Sequence, residues 1–361
     1  MNDPIDAFAD TYASARAKFL AAADGLPAHS YPEPLRGREL EALAMDVVRV
    51  GADDADALLI LSSGCHGVEG HCGSGVQVAL LQDEAFRARA RDAGVALLFV
   101  HALNPWGFSV GRRVTHEGVD LNRNFVDFRH PRPRNAGYDQ LAALLLPAQW
   151  PPTPANEQAL MAYASAHGMA ALQQAVSAGQ YHHPDGLFYG GDAPTWSQST
   201  LRMVLRTQAS RCRQLGWIDL HSGLGDPGVG ERIFACRDDA AARHRAKSWW
   251  GPHVTFTEDG SSTSANLQGN LWHAAYDECP QAVYTGITLE FGTEPLPVVT
   301  DALRFDHWVA RRNDRFDEQR DAARERMRRA FFTDTPEWKR AVLKQGREAA
   351  VLAVDGLAAW R

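Results

Sequence analysis

The apolar and polar positions fall into blocks of two kinds. Ala57 to Leu61 (A-L-L-I-L) and Val95 to His101 (V-A-L-L-F-V-H) are short, almost wholly apolar runs with turn residues on either side, the pattern of strands buried on both faces. Val283 to Phe291 alternates, with Val283, Ile287, Leu289 and Phe291 in one set and Thr288 and Glu290 in the other, which predicts a strand with a carboxylate at its far end. Gly216 to Leu220 (G-W-I-D-L) predicts a short strand running into His221, and Met45 to Val50 an edge strand. Helical patterns cover 5–23, Gly73 to Leu81, Asn156 to Ala178, Ser199 to Leu215, 301–329 and the C-terminus. Pro27, Pro32 and Pro34 mark a loop, and N-P-W-G-F (Asn104 to Phe108) marks a turn. Residues 109–125 read as a loop and 223–281 as short strands and loops. The connection from about 126 to 196 is too long to be slack and predicts a lid or specificity region.

Composition narrows the function classes. The chain has 361 residues, 45% hydrophobic and 22% charged, as expected of an ordinary globular protein. A net charge of −7 without a Lys/Arg cluster argues against a nucleic-acid surface. The charge run from Arg311 to Arg329 mixes signs and predicts a solvated helix face. No apolar run reaches the roughly 18 residues of a membrane span, and the N-terminus lacks a signal pattern. The five scattered cysteines (Cys65, Cys72, Cys212, Cys236, Cys279) are expected to be reduced, which fits a cytoplasmic protein.

The chemistry concentrates in G-C-H-G-V-E-G-H, Gly64 to His71, which lies between the Ala57 strand and the helix after it. His66 and Glu69 therefore fall on a glycine-rich turn at the C-terminal end of a strand, the edge where open α/β sheets bind ligands. An imidazole and a carboxylate three positions apart can make half of a zinc site. A lone H-x-x-E also arises by chance, and Gly64, Gly67 and Gly70 make a continuous helix across the stretch unfavourable. Cys65 and Cys72 flank the turn as possible ligands, although C-x6-C is a poor zinc signature and small packing residues are the simpler reading.

Two other strand ends carry polar groups, His221 and Glu290. A charge at the end of a buried strand is costly unless paired or bound to metal. Two His and one Glu with an open fourth position are the ligand set of a catalytic zinc, and a further carboxylate can act as general base.

H-G-V-E (66–69), N-P-W-G-F (104–108), R-V-T-H-E-G-V-D-L-N-R-N-F (113–125), D-L-H-S-G (219–223) and T-L-E-F-G-T (288–293) resemble, in order and spacing, the motifs of the zinc carboxypeptidase superfamily. The chain looks most like an intracellular branch of it largely known as a domain of unknown function. S-G-C-H-G-V-E-G and G-Q-Y-H-H-P-D-G-L-F-Y-G-G carry that likeness nearly end to end. The resemblance implies one zinc ion per chain held by His66, Glu69 and His221, with Glu290 as general base and proton donor to the leaving amine. Arg113 matches the arginine that steadies the oxyanion, with Arg112 as the fallback if the loop shifts by one. Asn122 and Arg123 match the pair that grips a free carboxylate, a task suited to a guanidinium fork beside an amide. Asp120 and Asn124 are expected to hold the loop. His101, His116, His182 and His183 are expected in packing or solvent, with His182 and Tyr189 as candidates for the pocket lining.

The implied architecture is a single domain over 1–361, a three-layer α/β/α fold with a mixed, mostly parallel sheet. The implied function is a zinc-dependent, carboxypeptidase-like hydrolase that cleaves an amide bond beside a free carboxylate, in a small peptide or an N-acyl amino acid. Trp106 replaces the usual acidic residue after N-P, and no tyrosine aligns securely as the mobile substrate cap, Tyr276 and Tyr284 being weak candidates. Those departures keep open a deacylase similar to succinylglutamate desuccinylase and aspartoacylase. From another class, a catalytically silent metal-binding relative would have lost a ligand or the base, and none is lost.

Overall fold

A computed structural model describes residues 3–312 and 317–359. Seven strands form one sheet: β1 (Ala28–Arg36), β2 (Ala42–Val50), β3 (Ala57–Ser63), β4 (Val95–His101), β5 (Gln214–Ser222), β6 (Gly230–Phe234) and β7 (Val283–Phe291), in the order β1-β2-β4-β3-β5-β7-β6. The inner pairs β4–β3, β3–β5 and β5–β7 are parallel, and the outer ones are antiparallel. β3 and β4 are buried along their whole length, which explains their unbroken apolar sequences.

Neighbouring residues of β5 show the layering, because successive side chains on a strand face opposite ways. A Cβ on Gly216 would lie 3.1 Å from Leu357 and 3.4 Å from Trp249, on the Pro336–Ala359 and Ala240–Trp250 helices. Trp217 points to the other side and meets the Tyr284 ring, which in turn packs on Tyr276 of the His273–Glu278 helix. Helices therefore cover both faces of a mixed sheet, the expected α/β/α arrangement.

Several boundaries differ from the pattern along the chain. The proline-rich loop contains β1, the true edge strand, and β2 lies inside it; Pro32 and Pro34 are tolerated because an edge strand has one side unpaired. The turn at Asn104 opens a helix, Pro105–Val110, with the Asn104 side chain accepting from Gly107 N. The helix predicted from Gly73 starts at Gly70, after a 3-10 turn over Gly67–Glu69. The pattern over 5–23 divides into a 3-10 turn, Pro4–Ala7, and a helix, Tyr12–Ala22, capped by Thr11. The pattern over 156–178 divides at Gly168 into Pro154–His167 and Met169–Ser177, and the 199–215 pattern is the Trp196–Gln208 helix followed by β5. The pattern over 301–329 becomes Leu296–Ala310 and Asp317–Phe331, and the 313–316 part of the charge run lies outside the described residues. The 126–196 connection carries three helices, the first being Ala136–Leu145. All five cysteines are free and buried. Among the described residues no helix is long and apolar enough to cross a membrane.

Candidate active site and metal centre

The C-terminal ends of β3, β5 and β7 meet where the chain must turn sharply. Gly64 leaves β3 at φ +66°, a region that favours glycine. At Gly67 a Cβ would lie 2.1 Å from the Gly107 carbonyl carbon, so only glycine lets this turn approach the Pro105–Val110 helix. In that close packing Gly67 N and Val68 N donate to the carbonyls of Arg113 (3.0 Å) and Arg112 (2.9 Å). The same contact brings the Arg113 side chain onto the turn.

His66, Glu69 and His221 are buried, with one donor atom from each lying within 4.8 Å of the others. Both Nδ1 atoms converge on the Glu69 carboxylate, His66 at 2.8 Å from Oε1 and His221 at 2.9 Å from Oε2. The outer ring nitrogens face carboxylates of their own: His66 Nε2 lies 3.1 Å from Asp120 Oδ1, and His221 Nε2 lies 2.5 Å from Asp219 Oδ2. Metal-binding histidines are oriented by outer partners of this kind. Arg113 spans the group, with Nη1 3.1 Å from Glu69 and Nε 3.0 Å from Asp120. Its Nη2 also lies 2.7 Å from His66 Nε2, a nitrogen that cannot both donate to Asp120 and accept from Arg113. The Asp120 bond is the one that leaves Nδ1 free to act as a ligand.

Burial pushes the Glu69 carboxyl up, but the imidazoles on both sides outweigh it and hold the group below the usual carboxylate range. Asp120 is also pushed up by burial and is carried well below its ordinary value by Arg113, Arg123 and His66. Burial works against charge on His221, yet Asp219 and Glu69 raise it well above an ordinary histidine. Two imidazoles with a carboxylate suit zinc. A second cluster, Cys65, Asp219 and His221, is equally compact. Burial, followed by Asp219, raises the Cys65 thiol and disfavours the thiolate a metal needs. The His66–Glu69–His221 group therefore fits a metal better.

Glu290 is directly across from His221 in the parallel β5–β7 register, on the same side of the sheet. Its Oε1 accepts from Leu224 N at 3.0 Å. Burial, then the charge of Glu69, lifts its carboxyl to about 8, against the opposing pull of His221 and Arg113.

Asn122 and Arg123 form a 3-10 turn with Leu121, which Asp120 caps. Asn122 Oδ1 accepts from Leu271 N at 2.9 Å, so the amide Nδ2 is left to donate. Arg123 is buried, and its Nε and Nη2 bond to Ser177 O and its Nη1 to Asn122 O. Those three bonds leave two of its five N–H groups uncommitted. Both residues line a cavity of about 780 Å³ together with His66, Glu69, Arg113, His221 and Glu290.

Other candidates lie elsewhere. Arg112 turns away from the cavity to pair with Asp306 at 2.9 Å. Tyr189 is outside the cavity lining, and its carbonyl accepts from Asp120 N at 2.8 Å. His182 is exposed and also outside the lining, while His183 bonds Asp139 and His116 pairs with Glu117. His101 is buried against Phe19 and Ser74. Tyr276 and Tyr284 pack on each other. Asn124 fastens the loop through Gly190, Ala193 and Thr195. The pattern reading missed Asp219 as an oriented partner of His221, although residues i and i+2 of a strand share a face.

Among solved structures the chain is similar to thrombin activatable fibrinolysis inhibitor, at 12% identity and a TM-score of 0.49, covering 97% of this chain and 76% of that one. It is similar to a metallo-carboxypeptidase from Burkholderia cenocepacia at 14% identity and a TM-score of 0.41, covering 95% and 68%. A succinylglutamate desuccinylase from Silicibacter sp. is similar at 14% identity and a TM-score of 0.40, covering 85% and 67%. No curated protein matches the sequence. The model of one family matches residues 8–345, nearly the whole length, and the chain belongs to that family, described as Protein of unknown function (DUF2817).

Proposed function

We propose that the protein is a zinc-dependent hydrolase that cleaves an amide bond next to a free carboxylate, with carboxypeptidase-like chemistry. The observation that carries this reading is the convergence of two imidazole Nδ1 atoms on one buried carboxylate, with Glu290 in register beside them. In this reading residues 1–361 act as one catalytic domain, with the 126–196 connection as its lid. His66, Glu69 and His221 would hold the ion. Zinc bound there supplies Lewis acidity to the scissile carbonyl and makes water more acidic.

The remaining work falls to this chain's side chains. Asn122 Nδ2 and the uncommitted Arg123 N–H groups bind the substrate carboxylate, which places the amide beside Glu290. Glu290 takes a proton from water and passes it to the departing amine. The water oxygen goes to the acyl carbon as the C–N bond breaks, giving one carboxylate and one free amine. Arg113, held rigidly by Asp120, is positioned to steady the negative charge on the carbonyl oxygen.

Peptides and N-acyl amino acids both meet this description, so the N-acyl amino acid deacylase remains the second reading. The test is Glu290→Gln. We expect it to keep its fold and about one zinc per chain while kcat falls by about a thousandfold or more on any substrate the wild type turns over. Equal turnover in the variant would remove the base, and a chain that takes up no zinc would remove the reading.

A further inference from the structure

The cavity has two unlike walls. Asn122, Arg123 and Asn270 make one of them polar. The other comes from the Pro154–His167 and Met169–Ser177 helices and the start of Leu296–Ala310, and presents Leu160, Met161, Met169, Leu172, Leu296 and Val299. The charges along it are already paired, Glu157 with Arg304 at 2.9 Å and Asp301 with Arg326 at 3.5 Å. Its rim is apolar and wet: Met161 is 55% exposed, Met169 61% and Leu296 44%. Apolar side chains gathered at the mouth of a cavity mark a binding surface, and methionine adapts to apolar ligands of varied shape.

The walls also differ in position relative to the centre. The Arg123 clamp is bounded by Ser177 and Leu271. Leu296 and Val299 follow the strand that carries Glu290, and nearby Phe331, also in the lining, accepts from Ser222 Oγ beside His221. Met169 begins the helix that ends at Ser177, about 12 Å from the clamp at 1.5 Å per residue. A ligand with its carboxylate in the clamp and its amide at Glu290 leaves its acyl half to the rest of the cavity, where Leu296 and Val299 follow the Glu290 strand. A volume of about 780 Å³ leaves room for more than an acetyl group.

Building on the hydrolase reading, we infer that the substrate is an amino acid N-acylated by an extended apolar chain, and that the wall carrying Met161, Met169 and Leu296 selects it. Hydrolysis of that amide releases a fatty acid and a free amino acid.

The test measures calorimetric binding of N-acetyl-, N-hexanoyl- and N-octanoyl-alanine to the zinc-loaded full chain carrying Glu290→Gln, with wild-type turnover of the same compounds in parallel. Kd is expected to fall at least tenfold from acetyl to octanoyl. Met169→Glu and Leu296→Glu, at exposed positions that tolerate charge, are expected to shrink that ratio. A Kd independent of acyl length overturns the inference, even if every compound is hydrolysed. Length-dependent binding without wild-type turnover supports the apolar wall and removes the hydrolase reading instead.

Discussion

The indole Nε1 of Trp217 donates to Ser62 Oγ at 2.7 Å, deep between β3 and β5. An indole can only donate, so the Ser62 hydroxyl spends its own hydrogen on Asp219 Oδ1, 2.5 Å away. Asp219 is thereby fixed as an acceptor, and its other oxygen accepts from His221 Nε2. The chain of bonds holds Nε2 as the donor, so that Nδ1, the nitrogen that faces Glu69, is the one that can give up its proton to take a metal.

Removing the middle of that chain is expected to loosen the metal without touching a ligand. Ser62→Ala should weaken zinc binding by about tenfold, and Asp219→Asn by about tenfold to a hundredfold, the usual effect of losing an outer partner. Competition with a chelator at fixed pH measures both. Wild-type zinc affinity in Asp219→Asn would show that the pairing does not orient His221.

The adjacent arginines 112 and 113 should fail differently when removed. Arg112 pairs with Asp306, which is buried, and its loss strands that carboxylate. Arg112→Ala is expected to cost about 3 kcal/mol of stability and to leave turnover per folded molecule close to wild type. Arg113→Ala should lower kcat/KM by about a hundredfold. Urea unfolding alongside steady-state kinetics separates the two, and a larger loss of turnover in Arg112→Ala would exchange their roles.

The pattern along the chain exposes the centre of this fold better than its margins. β3 and β4 are legible because burial on both faces leaves little choice but apolar residues, and β7 because apolar and polar positions alternate along it. β1 is not, because most of its side chains face solvent and two are proline. Gly70 looks like a helix breaker, yet tertiary packing overrides propensity: a Cβ there would strike the Phe108 ring. At the site, the residue types and their spacing mark the His66–Glu69 turn, whereas the bonds that turn Arg123 toward Ser177 and Arg112 toward Asp306 join segments more than fifty residues apart. No local signal reports them.

His101 gives a stability prediction of definite sign. Burial pushes its imidazole down to about 4, against the pull of Asp46, while an unfolded chain leaves it near 6.5. Between those values the unfolded state binds the extra proton. The contribution is therefore intact above pH 6.5 and is lost as pH falls toward 4, to a total of about 3 kcal/mol. His307, pushed down to about 3 by burial, adds a similar slope in wild type and variant alike. His101→Gln should flatten the fall in unfolding free energy between pH 6.5 and 4.5, measured by urea titration. An unchanged slope would mean that His101 is protonated in the folded protein.

Arg123 is placed to serve two ends at once. Its bonds to Ser177 O tie the last helix of the 126–196 connection to the Leu121–Arg123 turn, and the residue also lines the cavity. Arg123→Ala should therefore raise KM for substrates with a free carboxylate by about a hundredfold, since a charge-assisted fork is worth about 3 kcal/mol. Turnover of the matching carboxamides should change far less. Amide hydrogen exchange over 169–177 should also quicken, because that helix loses its tether. Arg123→Lys separates the two effects: it restores part of the affinity through its charge but cannot bridge Ser177 and a carboxylate together, so exchange stays fast. Equal loss on carboxylate and carboxamide substrates would assign Arg123 to the tether alone and leave the clamp to Asn122.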